Sequence, residues 1–142
     1  MKAHLSRRYH FSASHRLHTE AYDSAQNAVV FGKCNNPFGH GHNYTVQVTL
    51  SGQVDPATGM VCDLAELDAF AQTNLLARFD HMNLNTLDCF ANKVSTTENL
   101  SIEIYRIFRD FTAAHLEGVH VEETSNNSFD YAGDAAPSPG LI

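Results

Sequence analysis

The chain has 142 residues, enough for one domain with a sizeable core and no need of covalent staples. A formal charge of -7 and a pI near 5.6 argue against the basic footprint of a nucleic-acid binder, although a local group of Arg and Lys can still oppose that sign around a short anion. No apolar run approaches the roughly 20 residues of a bilayer-crossing helix, and the start MKAHLSRRYHFSASH alternates instead of forming a signal-peptide core, so a soluble cytoplasmic protein is expected.

KAHLSRRYHFSAS alternates, with Leu5, Tyr9, Phe11 and Ala13 on one parity, and reads as a first strand. HRLHTEAYDSAQNAVVFGKCNNPFG is polar and glycine-bearing and reads as a long excursion, a length that usually carries function in a compact domain. HGHNYTVQVTLSG alternates strictly, Tyr44, Val46, Val48 and Leu50 against Asn43, Thr45, Gln47 and Thr49, and is the clearest strand of the chain. DPATG is a turn and MVCD a short returning strand. Asp63 caps a helix carrying Leu64, Leu67, Phe70, Ala71 and Leu75 at helical spacing. After the break at FDHMNLNTLDCFANK, a second helix opens at Ser95, where Ser95 and Glu98 form a capping box ahead of the stripe Leu100, Ile104, Ile107, Phe108 and Phe111. GVHVEETS and SFDYAG close the chain as two strands, a hairpin across Asn126 and Asn127, and a loose tail over 132–142 is expected. The order is strand, strand, helix, helix, strand, strand, in a single domain over 1–142 without internal repeats.

Nine histidines are more than packing needs, and the three cysteines, Cys34, Cys62 and Cys89, have no disulfide-like spacing and suit a reducing compartment. His40 and His42 lie two apart at the start of a strand. Their side chains therefore share a face about 6.5 to 7 Å apart, close enough for two imidazoles to converge on one ion. His15, at the end of the first strand, is the natural third ligand if the two strands pair. Three neutral imidazoles leave a tetrahedral zinc one open position, the pattern of a catalytic site. His4, His10, His18, His115 and His120 are read as surface or packing residues.

Cys34, in the loop just before the metal strand, is either a thiolate base or nucleophile, a fourth zinc ligand, or an ordinary loop cysteine. Cys62 and Cys89 read as small buried hydrophobes. Asp80 and His81 in FDHMN make a pair in which the carboxylate orients and stabilises the imidazolium of a proton shuttle. Of Glu122 and Glu123, on opposite sides of one strand, the inward one suits a guanidine-like N–H edge on a ligand.

FSASHRL, FGKCNNPFGHGHNY, VDPATGMV, FDHMNL, VSTTENL and VEETSNN stand in the same order as in the 6-pyruvoyl-tetrahydropterin synthases, a family this chain resembles from about Tyr9 to Tyr131. The resemblance implies an α+β tunnelling (T-fold) unit: a four-stranded antiparallel sheet with two helices on one face. Three such subunits close a barrel, and two trimers form a homohexamer with active sites at subunit junctions, which also removes exposed sheet edges. It implies His15, His40 and His42 as zinc ligands, Cys34 as the catalytic thiol, and Asp80 with His81 as the proton-transfer pair. It further implies Glu123 as the anchor of the pterin ring, helped by Thr96, Thr97 and Glu98.

The implied activity is that of a lyase of tetrahydrobiopterin biosynthesis, which expels triphosphate from 7,8-dihydroneopterin triphosphate and redistributes side-chain hydrogens without an external redox cofactor. Arg7, Arg8, Arg16 and Lys33 are the cations near the site in sequence for the leaving triphosphate. Two alternatives stand beside it. One is the related 6-carboxy-tetrahydropterin synthase of queuosine biosynthesis, disfavoured by the long CNNPFGHGH spacing. The other is a non-catalytic zinc-stabilised module holding a pterin or purine. Phe38, where the animal enzymes tend to carry a polar residue, bears on which product forms.

Overall fold

β1 (Lys2–His15) and β2 (His40–Gln53) pair antiparallel without interruption, from Lys2 opposite Gln53 to His15 opposite His40. That register follows from the alternation in both strands, since a slip by one residue would turn every apolar side chain to the other face. β4 (His115–Thr124) lies on the far side of β2, and β5 (Asn127–Tyr131) returns beside β4 through a turn at Ser125 and Asn126. A two-residue strand, β3 (Met82–Asn83), joins the other edge in parallel with Ala13 and Ser14 of β1. The sheet is therefore mixed and five-stranded, in the order β3-β1-β2-β4-β5, and not four-stranded and purely antiparallel. The structure is a computed structural model, and it describes residues 1–134; of the loose tail expected over 132–142, residues 135–142 lie outside the described residues.

Tyr9, Phe11 and Ala13 of β1, Tyr44, Val46, Val48 and Leu50 of β2, and Val119 and Val121 of β4 are buried on one face. The helices cover that face. α2 (Leu64–Ala71), a π turn over Gln72–Leu76 and α3 (Ala77–Phe79) follow one another directly and bury Leu67, Ala71, Leu75 and Phe79. α4 (Thr97–Phe108) buries Leu100, Ile104, Ile107 and Phe108. Burial of this order, ~1.5 to 3 kcal/mol for each large side chain, is what holds two helices on a sheet. The opposite face is polar: Ser6 bonds Thr49, Arg8 Nε donates to Gln47, His10 Nδ1 meets Thr45 Oγ1, and Ser12 Oγ donates to Asn43.

Three expectations change. The excursion between β1 and β2 holds a helix, α1 (Ser24–Phe31), followed by a 3-10 turn over Gly32–Asn35. Its N-cap is Asp23, whose carboxylate accepts from Gln26 N at 2.8 Å while Gln26 Oε1 accepts from Asp23 N at 3.0 Å, a reciprocal capping box. MVCD is not a strand; the segment runs irregularly from the turn into α2, whose cap is Asp63 as expected, accepting from Ala65 N at 2.9 Å. The N-cap of α4 is Thr96, accepting from Asn99 N at 3.2 Å, and not Ser95, because the Ser95 hydroxyl is drawn toward Arg16 and Asn85 instead.

Candidate metal centre and substrate site

The β1–β2 register sets His15 opposite His40 and Ala13 opposite His42, and strand alternation turns all three imidazoles to the buried face beside Tyr44. Their ring centroids lie 4.5, 4.9 and 5.1 Å apart, and one nitrogen from each falls within 4.8 Å of the others. His15 is 2% exposed. Its Nδ1 lies 2.7 Å from the Ser95 carbonyl, which only accepts, so Nδ1 carries the hydrogen and Nε2 presents its lone pair. That Nε2 faces His40 Nε2 at 2.9 Å, and His42 Nε2 is buried with no hydrogen-bond partner.

An orphaned buried nitrogen and two ring nitrogens pressed together are what a cation between the three rings satisfies. Burial holds His15 and His42 below the ordinary histidine range, in the neutral form that ligates a metal. The residues present fit a metal site, and the donor set of three imidazoles suits zinc.

Glu123 stands beside this cluster, its Oε1 3.9 Å from His42 Nε2. The ladder to β5 shifts register between Glu122 and Thr124, a bulge that takes Glu123 out of the pairing and lets it turn inward. Its carboxylate accepts from Thr97 Oγ1 at the start of α4 and from Asn127 Nδ2 at 3.3 Å. Burial raises its pKa, but these hydrogen bonds and the neighbouring His42 and His15 outweigh that and leave it below the usual range, so it stays charged. Tyr44 Oη is buried next to this carboxylate without a partner, and burial followed by Glu123 pushes its pKa up.

The remaining expected site residues divide. Thr97 is in the cluster; Thr96 serves as the helix cap, and Glu98 is exposed on the first turn of α4 with no hydrogen bond among the described residues. Cys34 is half-buried in the 3-10 turn, where its carbonyl accepts from Leu17 N at 2.8 Å, so it flanks the chain just beyond His15. Among the described residues the metal-competent group is His15, His40 and His42 without Cys34, which leaves the thiol outside the ligand set.

Asp80 Oδ1 lies 3.0 Å from His81 Nδ1 and accepts from Ser12 N at 2.9 Å. That main-chain bond is the first cause of a lowered Asp80 pKa that opposes the desolvation, with His81 adding to it. His81 has φ +61, a conformation costly for a side chain with a Cβ, and is pinned there by its N–H donating to Ser12 O at 2.6 Å. The pair does not join the imidazole cluster within this chain. His81 lines a shallow depression with Ser12, Ser14, His42 and Asn43.

Of the four cations, Arg7 is held by Asp68 through two bonds of 2.6 and 2.7 Å, Arg8 lies on the polar face with Gln47, and Arg16 donates from Nε to Asn35 O at 3.0 Å. His4 and His115 approach Glu117, His18 approaches Glu20, and His120 meets Asp130 at 2.8 Å; His10 is bound to Thr45. Three participants escaped the sequence reading: the Ser95 carbonyl, the Tyr44 hydroxyl and Asn127. Only Ser95 left a signal, in VSTTENL, and there its hydroxyl attracted a capping role.

With this geometry in place, comparison with known proteins is informative. The human 6-pyruvoyl tetrahydrobiopterin synthase is 45% identical over 135 residues, 94% of this chain and 93% of that protein. The Drosophila melanogaster protein of the same name is 46% identical, covering 92% and 80% of the two chains. A putative 6-carboxy-5,6,7,8-tetrahydropterin synthase of Archaeoglobus fulgidus is 36% identical over 66 residues, 46% of this chain and 52% of that one. The structure of Caenorhabditis elegans 6-pyruvoyl tetrahydropterin synthase superimposes with a TM-score of 0.90 at 42% identity, covering 94% of this chain and 97% of the other. The family model for 6-pyruvoyl tetrahydropterin synthase matches residues 4–134, and the chain belongs to that family.

Proposed function

We propose that this chain is a zinc-dependent lyase that converts 7,8-dihydroneopterin triphosphate to 6-pyruvoyl-tetrahydropterin, with elimination of triphosphate and internal redox of the side chain. The observation that carries the reading is the convergence of three imidazoles, one of which, His42, holds an orphaned Nε2 3.9 Å from the charged, hydrogen-bonded carboxylate of Glu123. Relatives named for this activity at 45% and 46% identity support it.

His15, His40 and His42 would hold the ion, with the Ser95 carbonyl fixing the tautomer of His15. Bound there, zinc supplies Lewis acidity to the oxygens of the substrate side chain. Glu123, kept ionised and aimed by Thr97 and Asn127, accepts hydrogen bonds from the amino-pyrimidine edge of the pterin, with Thr96, Thr97 and Glu98 at that end of α4. Cys34, as thiolate, takes a proton from the side chain. His81, oriented by Asp80, returns protons to it.

The 1–142 chain acts as one domain, a T-fold subunit closing a barrel in trimers that stack into a cytoplasmic homohexamer. In that assembly Asp80 and His81 serve a neighbour's metal. Among the described residues no helix is long and apolar enough to cross a membrane.

The test is mass spectrometry of the product formed from 7,8-dihydroneopterin triphosphate by the zinc-loaded protein. A diketone with triphosphate released supports the proposal. A carboxy-pterin with acetaldehyde moves the chain to the 6-carboxy branch, and unchanged substrate makes it a pterin- or purine-holding module.

A further inference from the structure

The cations named from sequence are not equivalent in the fold. A cavity of about 700 Å³ opens where β1 ends and β2 begins, with Ser14 and His15 on one side and Pro37 to Gly39 on the other. Arg16, His18 and Lys93 line it together with Asn92 and the Phe38 ring; Lys93 Nζ is held by Glu103, and His18 Nε2 lies 3.2 Å from Glu20, the single carboxylate of the lining. In a chain of net charge -7 this is a concentration of donors. Arg7 is closed off by its two bonds to Asp68, and neither Arg7, Arg8 nor Lys33 lines the cavity. Arg16 commits only Nε, to Asn35 O, and among the described residues no hydrogen bond or ion pair occupies its two Nη groups. The Arg16 backbone is itself fixed: its N–H donates to Asn85 Oδ1 at 2.7 Å and its carbonyl accepts from Asn85 Nδ2 at 2.9 Å.

The strand order gives the direction. Glu123 lies on β4, His40 and His42 on β2 and His15 on β1, and the cavity opens where β1 ends and β2 begins. The anchoring carboxylate and the last imidazole are thus two strand spacings apart, about 10 Å. A pterin held at Glu123 with its side chain across the imidazoles carries its distal group past His15, out over the end of the β1–β2 pair.

We infer that this cavity is the subsite for the substrate's triphosphate, with the Arg16 guanidinium as its principal cation. The inference rests on the pterin-triphosphate reading above. A guanidinium with both Nη groups free offers the bidentate geometry that phosphate oxygens take.

Calorimetric titration with inorganic tripolyphosphate decides it, with metal content checked before and after. The wild-type protein should bind, Arg16→Gln should weaken binding about tenfold or more, and Arg16→Lys should restore part of the loss. Arg8→Gln, on the polar face, should match the wild type. Should Arg16→Gln fold poorly, His18→Gln provides the same comparison. Equal affinity in the wild type and the cavity variants, or a loss confined to Arg8→Gln, overturns the subsite.

A parallel measurement of 7,8-dihydroneopterin, which lacks the phosphates, separates the two proposals. Loss of tripolyphosphate binding with dihydroneopterin binding retained supports the subsite. Failure of the wild type to bind dihydroneopterin, with tripolyphosphate still depending on Arg16, defeats the pterin reading and leaves a polyanion site.

Discussion

At the scale of single residues, the site is organised by hydrogen bonds that settle which atoms are available. The Ser95 carbonyl takes the Nδ1 hydrogen of His15, and nothing takes the Nε2 of His42. His42→Ala should therefore leave the strands paired and the fold intact while metal content after dialysis drops far below one ion per chain. Full occupancy by elemental analysis would remove His42 from the ligand set. Glu123→Gln keeps the shape and removes the charge, so it should retain metal and weaken pterin binding about 10- to 100-fold, the cost of a charge-assisted bond to an N–H edge. Fluorescence titration with dihydroneopterin measures this. The imidazoles were legible because strand parity is a hard geometric rule: His-x-His must share a face. The Ser95 carbonyl was not, because a main-chain acceptor looks the same in every sequence.

At the scale of elements, the alternating strands and the stripe of α4 could be read directly, whereas α1 could not. Its eight residues bury one side chain, Asn27, and therefore show no apolar period. What holds it is polar. Asn27, fully buried, accepts from Thr19 N at 2.9 Å and donates to the carbonyls of Thr19, Asp23 and Tyr22 at 2.9 to 3.2 Å. Asp23 and Gln26 supplied a D-x-x-Q signal that the polar surroundings masked. Asn27→Ala removes those bonds and loosens the run that leads to Cys34, at a cost of about 2 to 4 kcal/mol. The expected signature is a lower turnover with metal content unchanged, and faster amide exchange over 17–35.

A second element-level tie joins β1 to α2. Asp68 accepts from both Arg7 nitrogens and from Tyr9 Oη at 2.8 Å, and the Arg7 and Tyr9 hydrogen bonds hold its pKa below the ordinary 3.8. A carboxylate depressed in the folded state contributes stability above its unfolded pKa and loses it as pH falls through the folded value. Asp68→Asn should therefore melt below the wild type at neutral pH by a margin that is constant down to about pH 4 and closes at lower pH. A margin independent of pH throughout the acid range would assign the effect to packing. Because Asp68 and Arg7 are partly solvent-accessible, the margin should also shrink in high salt.

At the scale of the whole molecule, one chain brings together three imidazoles that could hold a metal, and His81 is not among them. The imidazoles turn to the helix side of the sheet, while His81, its side chain 84% exposed, lines an open depression with Ser12, Asn43 and His42 and is not in the metal-competent group. β1 is paired along β2, but its other edge is covered by β3 only at Ala13 and Ser14, leaving a long run of unpaired main chain that another copy could cover. If a neighbouring subunit supplies Asp80 and His81, two inactive variants should complement each other. His42→Ala lacks a metal centre and His81→Ala lacks the proton carrier, so each homo-oligomer should be inactive. Hetero-oligomers formed by refolding an equal mixture would place an intact metal centre next to an intact His81 at about a quarter of the junctions of a symmetric assembly, and activity should return in that proportion. No recovery, with mixed oligomers verified by native mass spectrometry, would mean that each chain brings its own His81 to its own metal. That outcome would require the Asp80–His81 turn to move toward its own imidazoles, against the Ser12 bonds that now fix it.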